Sequence, residues 1–135
     1  MNYKIKAVIG FEYWDPNSSR TMSTPSNEPS SGSIQSYETV VRPGDLASEI
    51  ASDSNSDPFP RVLATSRLIA FMEIAAARVL QPYLGPGRLS VGTRLDVAHK
   101  APTPVGCKAT TEAKFLGKKG NFICSKWWQE TRLGK

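Results

Sequence analysis

The sequence predicts an α+β domain in which an antiparallel sheet wraps around one long helix, and three observations carry that reading. The run from Val62 to Leu84 is apolar or Ala at nearly every position between Leu68 and Leu80, too long for a strand and apolar around most of its circumference. After it, Leu89–His99, Lys108–Leu116 and Phe122–Glu130 have strand composition and are separated by breaks rich in glycine, proline and lysine. Before it, the stretch YETVVR at 37–42 is rich in β-formers and stops at Pro43 and Gly44. A strand, a buried helix and then a meander of strands is the order of a helix laid on one face of an antiparallel sheet.

Taken in order, the opening stretch MNYKIKAVIGFEYW has only a very short apolar core before Glu12 and Asp15, which argues against a secretory signal. Residues 15–36 are dominated by Ser, Pro, Asn, Thr and Gly, a composition that buries too little apolar surface to offset chain entropy. Residues 1–36 are therefore expected to be a low-complexity, disordered extension, and residues 37–135 the domain. Asp45–Ile50 fits a short helical turn, the polar stretch SDSNSDP a loop, and Phe59 and Pro60 deliver the chain to the helix. The helix start is marked by Thr65 and Ser66 and its end by Pro82 and Gly85. The GKKGN stretch reads as the turn of a hairpin.

A chain of 135 residues holds one domain and can bury a core large enough to fold without staples. Cys107 and Cys124 have neither metal-ligand nor CxxC spacing, so reduced packing residues in a cytoplasmic protein are expected. The net charge of +5 is uneven: residues 1–87 carry seven Lys and Arg against nine acids, and residues 88–135 carry ten against three. The basic residues are dispersed, without a clustered or aromatic-interleaved motif, so nucleic acid is not the expected partner. A solvated strand face or a phosphate-bearing ligand such as coenzyme A explains them. No membrane partner is expected either, because the longest apolar run is interrupted by Arg67, Glu73 and Arg78.

Two residues stand out as chemistry. Glu73 lies between Met72 and Ile74 in the apolar run, where a carboxylate needs a partner or loses its charge. A Glu that reaches the rim of the helix or bonds a backbone amide is the alternative. His99 is the chain's one histidine. Beside a buried carboxylate it forms an acid–base pair suited to neutral pH, although single histidines also serve structure.

The motifs around these two residues extend the pattern. Val62, Ala64 and Thr65 are followed by Met72, Glu73 and Ala75, then by Ser90, Val91, Gly92 and Thr93, then by Val97, His99, Ala101, Thr103, Pro104 and Gly106. In order and spacing the run from Phe59 to about Arg132 resembles the thioesterase-like hotdog family that contains the fluoroacetyl-CoA thioesterases. The resemblance implies a hotdog fold, hydrolysis of a short acyl-CoA, and a homodimer with the acyl-CoA site between protomers. It implies Thr65, Glu73 and His99 as the catalytic group, the Gly92 amide near the thioester oxygen, and Phe59 over the acyl pocket. Phe59 also fits a hydrophobic staple for the helix. Neither a metal nor a cofactor is implied beyond the coenzyme A of the substrate.

The family's last strand continues past the equivalent of Leu133, whereas this chain stops at Lys135. The expectation is therefore a hotdog domain with its last strand truncated, and the alternative function is a non-catalytic acyl-CoA-binding or structural hotdog remnant. Helix geometry adds a further expectation, since eight helical residues advance about 12 Å. Either Thr65 folds back from the turn before the helix, or a partner chain helps to close the site.

Overall fold

The helix expected between Val62 and Leu84 forms over Thr65–Leu80 as α1 and lies against the sheet, packing most heavily on β5 (Lys108–Phe115) and β3 (Ile34–Val40). The computed structural model describes residues 3–17, 20–22, 28–50, 57–117 and 121–129. The remaining strands are β1 (Tyr3–Asp15), β2 (Arg20–Met22), β4 (Leu89–Val97) and β6 (Asn121–Gln129). The two one-turn 3-10 helices Pro43–Asp45 and Ala47–Glu49 occupy the place read as a short helical turn. Residues 118–120 of the expected hairpin turn lie outside the described residues, but the strands on either side pair in register from Phe115 with Phe122 to Lys108 with Gln129.

Leu68, Phe71, Met72, Ala75, Ala76, Val79 and Leu80 line the buried face of α1, the 3.6-residue stripe of an amphipathic helix. The expectation of a helix buried on most sides is thus corrected, since Arg67, Ile74 and Arg78 are exposed. Buried Thr111 on β5 donates its hydroxyl to the Phe71 carbonyl at 3.0 Å. Arg78 donates to the Ser36 carbonyl at 2.9 Å while its guanidinium lies 5.1 Å from the Tyr37 ring centroid, tying the end of α1 to β3.

The largest departure from the sequence reading is β1. Residues 1–36 were expected to be a disordered extension, yet Tyr3–Asp15 is a 13-residue strand. Ala7–Gly10 pair on one edge with Arg94–Val97 of β4 and on the other with Asn121–Cys124 of β6. Hence β1 is an interior strand, and the sheet runs β4, β1, β6, β5, β3, antiparallel throughout, with β2 beside the end of β1. Ala7, Ile9, Phe11 and Tyr13 point into the core, while Val8 and Glu12 point out. That apolar payload is what the composition of residues 15–36 lacks. The position between β6 and β4 is filled by a strand from the N-terminal side of the helix, and the sheet is continuous among the described residues.

Tyr13 offers a test of this placement. Burial, followed by the charge of Glu28 and the hydrogen bond its hydroxyl donates to Glu28 Oε1 at 3.3 Å, pushes its phenol from 10.0 up to about 12. The fold favours the neutral phenol, so this contribution to stability is full below pH 10 and is lost as pH rises toward 12. Tyr13→Phe is expected to show a flatter decline of stability across that window in urea melts at stepped pH. Parallel declines for the two proteins would place Tyr13 in solvent.

Candidate active site

Thr65 is the first residue of α1, not its cap: Ala64 holds the N-cap position, and no side chain caps the helix. The helix does begin at Thr65, as expected, but the Thr65 hydroxyl is directed elsewhere than to a cap. Thr65 Oγ1 lies 2.9 Å from Nδ1 of His99, within hydrogen-bond distance whichever tautomer the imidazole adopts. His99 sits just past the end of β4, in a segment fastened to the helix entry where the Leu63 N–H donates to the carbonyl of fully buried Thr103 at 2.7 Å.

The hydroxyl and the imidazole open on a cavity of about 340 Å³ that is also lined by Phe59, Val62, Leu63 and Ala101, with Lys100 beside them. Phe59 is 51% exposed, so its ring stands at the opening instead of packing as a closed staple under the helix. The cavity therefore presents an apolar wall, a hydroxyl, an imidazole and a cation. Among the described residues, no group of three His, Cys, Asp or Glu could hold a metal ion.

Glu73 and Gly92 form a second pair. A Cβ built on Gly92 would stand 3.1 Å from both Cδ and Oε1 of Glu73, so only glycine lets the carboxylate lie this close to the β4 backbone. Gly92 pairs with Phe11 of β1 at a register shift after Gly10, a bulge of the kind that re-aims backbone beside a functional site. Glu73 is half-buried, which fits the alternative of a carboxylate reaching the rim of the helix, because its position lies to the side of the stripe that Met72 and Ala76 direct inward. Thr65 and Glu73 belong to one straight helix and stand about 12 Å apart along its axis. The structure thus brings Thr65 to His99 and Glu73 to Gly92. Phe59 joins the first pair, and the cavity lining includes neither Glu73 nor Gly92. Sequence reasoning did not single out Asp45, the buried acid packed against the helix entry, although its place three residues after Arg42 in a Pro-Gly-Asp turn is a capping pattern.

Comparison with known proteins bears on this geometry. The family model described as fluoroacetyl-CoA-specific thioesterase matches residues 41–134. A curated fluoroacetyl-CoA thioesterase of Streptantibioticus cattleyicolor is 42% identical over 65 residues, which cover 48% of this chain and 47% of that protein, so the match spans about half the length of the curated relative. A solved structure of the fluoroacetyl-CoA thioesterase FlK superposes with a TM-score of 0.65 at 26% identity, covering 76% of this chain and 90% of that one. A mutant of the same enzyme in complex with fluoroacetate and CoA superposes with a TM-score of 0.62 at 25% identity, covering 73% and 94%.

Proposed function

The chain belongs to the fluoroacetyl-CoA-specific thioesterase family, with its hotdog fold, and from that membership we propose that it hydrolyses a short acyl-CoA thioester to the free acid and coenzyme A. The observation that carries the proposal is the 2.9 Å contact between the Thr65 hydroxyl and the His99 imidazole at a cavity with one apolar wall. Thioester hydrolysis forms a C–O bond from water, breaks the C–S bond and returns one proton to the leaving thiolate. A hydroxyl and an imidazole in contact can hold and pass that proton. Glu73 attacks the carbonyl or activates the water, and the Gly92 N–H donates to the developing oxyanion. Lys100 at the cavity meets the phosphates of coenzyme A, consistent with the coenzyme A bound by the FlK relative.

The axial separation of Thr65 and Glu73 favours a site completed by a second copy, so we assign the working form as a homodimer associated along β4. Leu95 on that strand is 42% exposed although its partner across the ladder, Ile9, is fully buried, and Ile74 is exposed one residue after Glu73. Leu95→Arg is expected to halve the mass seen by light scattering, and an unchanged dimer would move the interface elsewhere. No described helix is long and apolar enough to cross a membrane, Cys107 is buried, and we assign a cytoplasmic location. The test of the whole reading is release of free coenzyme A from a panel of short acyl-CoA substrates. Saturable binding of acyl-CoA without turnover of any member would replace hydrolysis with a binding function.

A further inference from the structure

The helix that carries Thr65 lacks a side-chain cap of its own, and the first amides of a helix need partners. Asp45, the last residue of the Pro43–Asp45 turn, supplies the order from across the chain. Its carbonyl accepts the Ala64 N–H at 2.9 Å, one residue before Thr65. Its carboxylate accepts twice, Oδ1 from Nε of Arg67 at 2.9 Å and Oδ2 from the Arg42 N–H at 2.9 Å. Asp45 is 6% exposed, so these partners, not bulk water, satisfy the charge, and charge-assisted bonds of this kind are stronger than neutral ones. Arg67 is held in turn from the helix side, its guanidinium 5.7 Å from the Phe71 ring centroid.

The same corner carries the segment of His99. The Leu63 N–H donates to the Thr103 carbonyl at 2.7 Å, the Gly106 N–H to the Val41 carbonyl at 2.9 Å, and the Val41 N–H to the Cys107 carbonyl at 2.9 Å. Three stretches, 41–46, 63–67 and 99–107, therefore close into one laced triangle. The Thr65 to His99 contact spans one side of it, and the Asp45 to Arg67 ion pair fixes another.

We propose that Asp45, together with Arg67, is a positioning residue for the thioester site: it sets the first turn of α1 so that the Thr65 hydroxyl meets the His99 imidazole. The inference rests on Thr65 and His99 being the reacting pair. Asp45 lies behind the helix entry and acts through Thr65, without touching substrate. Misplacing a reacting group by about 1 Å can cost on the order of 10²-fold in rate, so loss of the pair should act on turnover more than on binding.

Asp45→Asn keeps the shape and removes the charge. Its kcat on the best acyl-CoA of the panel is expected to fall roughly 10- to 100-fold with KM within about two-fold. In a Thr65→Val background the same substitution is expected to add almost nothing, because the group it positions is already gone. An equal further loss in that background would overturn the proposal in favour of general destabilisation, and so would wild-type kcat in Asp45→Asn. If Asp45→Asn does not fold, Arg67→Met removes the same ion pair while keeping an apolar stem over Phe71, and carries the same expectations. The ring ¹⁵N resonances of His99, recorded without substrate, decide the matter independently of catalysis. They should move in Asp45→Asn in the same direction as in Thr65→Val, and unmoved resonances would sink the positioning role. Absence of turnover in wild-type protein would instead sink the thioesterase reading and leave the resonance comparison standing.

Discussion

His99→Ala is expected to lower kcat for acyl-CoA hydrolysis by about 10²- to 10⁴-fold, the range a general acid or base contributes, while the protein keeps its melting temperature within a few degrees. The first half follows from the 2.9 Å contact of the imidazole with the Thr65 hydroxyl, which leaves no other imidazole to move the proton that the departing thiolate requires. The second half follows from location: His99 lines the mouth of a cavity and is only partly buried, so its removal enlarges an open space and does not hollow the core. Thr65→Val separates two roles for the hydroxyl. A loss smaller than that of His99→Ala fits a hydroxyl that orients the substrate, and a loss as large fits the nucleophile itself. Steady-state kinetics of the two variants against wild type on the acyl-CoA panel decide this, and His99→Ala within ten-fold of wild type would remove the imidazole from the mechanism.

What the sequence disclosed depended on how local the signal was. The helix and the strands β4, β5 and β6 follow from periodicity within single stretches; the observed strand bounds differ from the expected ones by at most two residues, and the helix is shorter than the Val62–Leu84 run by three residues at its start and four at its end. Thr65 and His99 lie 34 positions apart, and only the family motifs linked them before the fold placed them in contact. Asp45 and Arg67 lie 22 apart with no motif between them, and an Asp after Pro-Gly reads as an ordinary turn residue. Glu73 was legible as an acid among apolar residues, but the choice between enclosure and a place at the rim was not, because exposure on a helix depends on which neighbours cover each face. The strand β1 was the most hidden element. Ala7, Ile9, Phe11 and Tyr13 do alternate with Val8, Gly10 and Glu12, but its partners on β4 and β6 are 75 or more residues away in sequence.

Removal of residues 1–15 is therefore expected to abolish the folded domain, the opposite of what a disordered extension would predict. Ile9, Phe11 and Tyr13 are buried against the core, and burying a large apolar side chain contributes about 1.5–3 kcal/mol. Three of them supply roughly 5–9 kcal/mol, comparable with the total stability of about 5–15 kcal/mol that a single domain commands. The loss is compounded by backbone pairing, since β1 satisfies the inner edges of both β4 and β6 and its absence would leave two rows of amides without partners inside the sheet. Ile9→Ala is the graded form of the same test: it should cost about 2–5 kcal/mol and lower the midpoint of thermal unfolding by roughly 10 °C or more for a domain of this size. The site would feel it too, because Gly92 takes its register from Phe11 and its carboxylate neighbour from Glu73. A truncated protein that still unfolds cooperatively within a few degrees of the full chain, by circular dichroism, would show that the strand is dispensable and return residues 1–15 to the status of an extension.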